Sequence, residues 1–243
     1  PGDLTGIQIQ YVVVEEGVYT QAEHGITMEA VKFTSTVTDH KNSWTGQQRT
    51  YANSYTSPVV LGQMMSSNDA GHSVFWSRGS SRNSVPNASN LWVGKHVGEG
   101  PNTGRSDETI GYLVVESESG TVGNLNYAAA VGSDTVRGTQ NGSYQYTVPG
   151  IANATSTVLS LAAMDGRDGG WAVLLGTTPV NGSTIELAVD EDTLGDTERN
   201  HTTEQVAYLV FSSANPNENP DAVDDSATTS EDSAVVVSVL AND

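Results

Sequence analysis

The chain has 243 residues, with 29 Asp and Glu against 10 Lys and Arg for a formal charge of −19, and no cysteine. That charge argues against nucleic acid and anionic membrane as partners, since both repel a polyanion. The missing cysteine rules out disulfides, thiol catalysis and thiolate metal centres, while 36% hydrophobic residues suffice for a core. No apolar run approaches the roughly 18 residues of a membrane-spanning helix.

Twelve short strands are predicted in chain order: 7–14, 29–36, 59–64, 73–77, 90–93, 109–116, 126–131, 143–148, 157–162, 171–175, 184–189 and 205–211. Each is rich in β-branched or aromatic residues, and most end at Gly, Asn, Asp or Ser. No window carries an apolar stripe at helical period. The continuous runs Tyr11–Val14 and Tyr112–Val115 read as central strands covered on both faces. Ser143-Tyr-Gln-Tyr-Thr-Val148 alternates and reads as a strand with one wet face.

An internal repeat organises these strands. Tyr11-Val-Val-Val-Glu-Glu16 returns as Tyr112-Leu-Val-Val-Glu-Ser117 and as Tyr208-Leu-Val-Phe-Ser-Ser213. Ser57-Pro-Val-Val-Leu61 matches Ser156-Thr-Val-Leu-Ser160 at an offset of 99, which also aligns Asp69 with Asp168. The expected fold is therefore all-β, with two tandem, duplicated antiparallel β-sandwich units at 1–120 and 121–213. The strand at 7–14 either completes a sheet with later strands or belongs to a preceding unit.

Beyond the body, 214–220 reads as a linker and 221–243 as the truncated start of a further repeat. From Asn217 onward seven residues are acidic and none is basic. Asp221, Asp224, Asp225, Glu231 and Asp232 offer hard oxygen ligands, so calcium is the one cofactor the sequence suggests; a solvated acidic linker is the simpler alternative. Five histidines lack zinc-ligand spacing, and no nucleophile elbow or phosphate-cradling glycine loop is present, so no catalytic residue is assigned.

Four tryptophans are candidate platforms for a sugar ring. Trp44, in a loop-like polar setting, and Trp92, beside Lys95 and His96, are the candidate ligand contacts. Trp76 and Trp171 read as core or edge packing. Asp69 and Asp168 are either rim residues of a repeated site or turn residues that bond their own backbone.

The 221–243 segment, through Pro220, Ala222, Asp224, Asp225, Glu231, Asp232, Val239, Leu240, Asn242 and Asp243, resembles the start of a bacterial cadherin-like tandem extracellular repeat. That resemblance implies a piece of a larger extracellular protein, with calcium near repeat junctions. Ser57-Pro-Val-Val-Leu-Gly-Gln63 after a Thr/Tyr-rich approach, together with Glu108–Glu116, resembles H-type lectin domains, as do Ser156–Leu161 and Glu204–Phe211. This second resemblance implies a jelly-roll or lectin-like sandwich; its loops differ, so no sugar-contacting residue is carried over. The insertion 79–90 departs from it and occurs only in the first unit.

Together these features predict an extracellular or bacterial cell-surface module that binds a glycan or cell-surface polysaccharide, neutral or cationic in character. The alternative is a structural subunit of a surface fibre or homo-oligomer, assembled by strand complementation.

Overall fold

β-Branched and aromatic residues in short runs, cut by turn formers, leave no helical register long enough to propagate. The computed structural model describes residues 9–214, and these form an all-β arrangement of small sheets. The first half contributes β1 (Gly17–Tyr19), β2 (Met28–Ser35), β3 (Thr38–Asp39), β4 (Gln47–Arg49), β5 (Pro58–Met64), β6 (Val74–Arg78), β7 (Leu91–His96) and β8 (Glu108–Glu116). The second contributes β9 (Ser119–Val122), β10 (Leu125–Val131), β11 (Tyr144–Thr147), β12 (Ser156–Leu161), β13 (Trp171–Leu174), β14 (Val180–Asn181), β15 (Thr184–Asp190) and β16 (Val206–Ser213). One helical turn at Gln21–His24 and one 3-10 turn at Thr139–Asn141 are the described exceptions.

The strand order repeats. β1-β2-β8-β5 form one sheet, and β3-β7-β4 with β6 on β7 form another. In the second half the orders are β9-β10-β16-β12, and β11-β15-β13 with β14 on β15. Thus β2, β4, β5, β6, β7 and β8 correspond to β10, β11, β12, β13, β15 and β16. Even the parallel β3–β7 contact has a counterpart in the parallel bridge of Gly138 with Val189.

Register corrects the repeat offset. Tyr112 faces Gly62 across β5, and Tyr208 faces Leu159 across β12. The β5 and β12 strands are therefore related by 97 positions, not 99. A slip of two residues keeps every side chain on its own face, so a Ser-x-Val likeness cannot detect it. Asp69 accordingly corresponds to Gly166, and Asp168 has no equivalent role.

Packing follows the same correspondence, with substitutions. A Cβ on Gly62 would stand 2.6 Å from the Phe75 ring, whereas the second half places Leu159 and Ala172 at these positions. Bulk has moved from one strand to its neighbour. Lys95, fully buried on β7, holds the place of the equally buried Val189. Its ammonium is met by the carbonyls of Ser35 and Ser106, and burial lowers its pKa.

Three buried clusters account for the core. Val60, Phe75, Val93, Tyr112 and Val114 belong to the first half, and Tyr146, Leu161, Leu187, Tyr208 and Val210 to the second. The third joins Val59, Leu61 and Val115 to Tyr127, Ala129 and Leu209, so the halves share a core. Tyr112–Val115 is continuously apolar because alternate residues enter different clusters, as expected of a strand covered on both faces. β11 has the expected wet face, and Trp76 is fully buried.

The Tyr11–Val14 run differs. Residues 9–14 join no sheet, and Ile9, Tyr11 and Val13 are 80%, 76% and 85% exposed. β8, which shares its pattern, already has β2 and β5 on its two edges. Composition made these segments alike; among the described residues only one has strand partners.

Candidate functional site

The site begins with a buried carboxylate on β2. Glu29 is 1% exposed, and its Oε2 accepts the backbone N–H groups of Ala52 at 2.7 Å and Asn53 at 3.0 Å. Asn53 Nδ2 donates to the carbonyls of Met28 and Tyr19 at 2.9 and 3.1 Å. These bonds shape the chain between β4 and β5, where Tyr51 and Tyr55 meet edge to face with centroids 5.2 Å apart. Tyr55 donates its hydroxyl to the Val114 carbonyl at 3.2 Å, and Tyr51 donates to that of Asn87 at 2.9 Å. Burial, helped by the charge of Glu29, holds both phenols well above their ordinary pKa, so they remain donors.

Beside them lies a pocket of about 390 Å3, lined by Gln48, Arg49, Tyr51, Asn53, Tyr55 and Ser89, among others. Among the described residues no carboxylate lines it. Arg49 spreads its guanidinium 4.6 Å from the Phe33 ring centroid, leaving a buried Nε without an acceptor among the described residues. Gln48 is the cross-strand partner of half-buried Trp92 on β7, which adjoins a residue of the lining without being one of the lining residues itself. Such a wall offers aromatic edges, amides, hydroxyls and one cation.

Trp44 and Trp92 are linked through Arg78. The Arg78 guanidinium lies 4.6 Å over Trp92, while its Nε and Nη2 donate to the carbonyls of Trp44 and Thr45 at 3.2 and 2.7 Å. Arg82 covers Trp44 at the same 4.6 Å and donates to the Met164 and Asp165 carbonyls at 3.0 and 2.6 Å. Asp168 approaches this loop through Lys41, 2.8 Å away, and Lys41 also pairs with Glu99. Those two acids raise the Lys41 pKa well above its ordinary value. Asp69 lies apart from them, accepting the Ser106 N–H beside Glu108. Asp221, Asp224, Asp225, Glu231 and Asp232 fall outside the described residues. Among the described residues no group of three His, Asp or Glu is arranged to hold a metal.

Sequence reasoning passed over the buried charges. Glu108 accepts the N–H groups of Asn68 and Asp69 at 2.8 and 3.0 Å; at the corresponding place Glu204 accepts those of Asp165 and Gly166, both at 2.8 Å. Glu204 also meets His201 Nε2 at 2.9 Å, while Glu191 meets Nδ1 at 3.2 Å. Burial would lower the His201 pKa, but the two carboxylates override it and hold it at about 9. His96 accepts the Gly98 N–H at 2.9 Å, and burial pushes its pKa down to about 4.

The Asp165–Gly170 loop, Asp-Gly-Arg-Asp-Gly-Gly, threads between these imidazoles. A Cβ on Gly166 would stand 2.2 Å from His201, and one on Gly169 would stand 2.5 Å from His96. Gly169 also has φ +86°, a left-handed conformation. Gly169→Ala is expected to lower stability by about 2–4 kcal/mol, combining backbone strain with overpacking. Urea denaturation at neutral pH checks this; a change within 0.5 kcal/mol, the usual scatter of surface substitutions, would contradict it.

The Tyr51–Tyr55 pair had a signal in the Thr/Tyr-rich approach to β5. Glu29 and Arg49 had none, because their partners come from distant segments. No protein-family model, curated protein or solved structure matches the chain.

Proposed function

We propose that the chain is a non-catalytic recognition or adhesion module of a large extracellular bacterial surface or secreted protein. In this reading it consists of two tandem, duplicated β-sandwich units of jelly-roll or lectin-like type. Its ligand is a neutral glycan or cell-surface polysaccharide. The observation that carries the reading is the Tyr51–Tyr55 pocket: in an acidic chain, no described residue of its lining is an acid. Its 390 Å3 falls in the usual range of about 300–1,000 Å3 for small-molecule sites. Amides and hydroxyls supply bonds to sugar hydroxyls, and aromatic edges supply apolar contact.

A glycan array run with wild type, Arg49→Gln and Trp92→Ala tests this. Wild type is expected to bind neutral glycans saturably, and each variant to lose about tenfold in affinity, the loss of one good contact. No binding by a folded wild type would reject the reading; binding that survives both substitutions would move the site elsewhere.

Calcium belongs to this proposal through the acidic 221–243 segment. Its addition is expected to raise the melting temperature of the protein, and chelation to reverse the shift. Identical scans with calcium and with chelator would remove the metal.

A second reading, a structural subunit of a surface fibre, is favoured by residues 9–14. They are mostly apolar, with Ile9, Tyr11 and Val13 exposed, and among the described residues they lie in no sheet.

A further inference from the structure

We infer that residues 9–14 are an exchangeable arm, which leaves its own groove and seats in the identical groove of a second copy of this chain. The inference rests on the second reading above, and it names the segment, its seat and its partner.

The arm crosses between the two halves. Val14 packs against the cluster the halves share, and Gln10 Oε1 accepts the N–H of Thr157 on the outer edge of β12 at 2.6 Å. Behind it, the Tyr19 hydroxyl donates to the Glu15 carbonyl at 2.7 Å, marking the point from which the arm departs. An edge N–H is thus satisfied by a side chain instead of a ladder. Among the described residues, one such bond and two half-buried valines hold the arm, so it gives up little when it leaves. The same contacts are recovered in trans, because the acceptor groove is the same surface.

The groove itself selects the partner. About 1,360 Å3 remains open between the arm, the β5–β8 face, β12 and the 176–180 loop. Of the described residues that line it, only Glu16 and Lys32 are charged, and their signs cancel. Two copies at −19 repel over most of their surfaces, so they approach where the acids are absent. Ile9, Tyr11 and Val13 stay bare in the single chain, and the crossing of two arms supplies the cover they lack. Reciprocal exchange closes a dimer; exchange passed onward from copy to copy builds a fibre.

The absence of cysteine makes the test clean. Gln10→Cys and the exposed, groove-lining Thr155→Cys are made as separate variants of the 243-residue chain, one carrying a mass tag, then mixed and treated with a short bis-maleimide. Exchange predicts a cross-linked heterodimer whose yield rises with protein concentration before dilution. Adding Val12→Asp, which puts a carboxylate into the neutral groove, is expected to cut that yield about fivefold. No heterodimer from the mixture, with only an intrachain link in the double variant, would overturn the arm. In that event ultracentrifugation separates the two ideas: concentration-dependent oligomers would keep the fibre reading and discard the arm, while a monomer at every concentration would discard both.

Discussion

Replacing His201 with Ala is expected to destabilise the protein by about 3–5 kcal/mol, the cost of breaking a buried ion pair from one side. The imidazole is almost wholly buried, and both its nitrogens face buried carboxylates, Glu191 at 3.2 Å and Glu204 at 2.9 Å. Removing it leaves two negative charges in the interior beside a cavity the size of the ring. Glu191, whose pKa burial already raises, relieves part of this by taking up a proton. Glu204 retains the Asp165 and Gly166 N–H groups, so the Asp165–Gly170 loop keeps part of its anchorage. Guanidinium denaturation at pH 7 measures the loss. His201→Ala combined with Glu191→Gln should recover at least 1 kcal/mol, as residues in one network do not add. A single variant within 1 kcal/mol of wild type would show that the cluster is not a net source of stability.

Stability is expected to peak near pH 6.5, where two buried histidines act in opposite directions. In His201 the folded pKa of about 9 exceeds the ordinary 6.5, so its full contribution exists below 6.5. That contribution, about 3 kcal/mol at 1.36 kcal/mol per pKa unit, is lost as pH rises through 9. In His96 the folded value of about 4 lies below 6.5. The unfolded chain therefore takes the proton first, and a similar 3 kcal/mol is lost as pH falls from 6.5 to 4. Asp39 and Asp192 pull the His96 value upward and His40 pushes it down, yet burial dominates. Glu108, held below its ordinary pKa by Ser66 and two backbone N–H groups, adds to the acid loss. Glu191, shifted upward, opposes it. Denaturation midpoints from pH 4 to 9 trace this dome. His96→Gln is expected to flatten its acid limb and His201→Ala its alkaline limb. A flat or monotonic profile would contradict both assignments.

These charges show where reading the chain stops. Period-two alternation, β-branched runs and turn residues located eleven of the twelve predicted strands, including the doubly covered Tyr112–Val115. Each of those signals is local, so neighbouring residues state it in full. The pocket was legible only at its margin, through the tyrosines ahead of β5. Its organiser, Glu29, is one acid among 29 until Ala52 and Asn53 are brought to it. The same holds for Glu204, whose N–H donors, Asp165 and Gly166, come from the loop after β12.

The amino-acid sequence by itself determined a cysteine-free, acidic, all-β chain whose second half echoes its first. Tertiary structure decided the rest. It set the repeat offset at 97, because a backbone ladder distinguishes a two-residue slip that side-chain likeness cannot. It left Tyr11–Val14 outside any sheet, because pairing needs a backbone ladder along a partner's edge, and the run meets the β12 edge through the Gln10 side chain instead. And it gathered carboxylates and imidazoles into charged interiors, because partners that neutralise a buried charge need to be near in space and carry no fixed spacing along the chain.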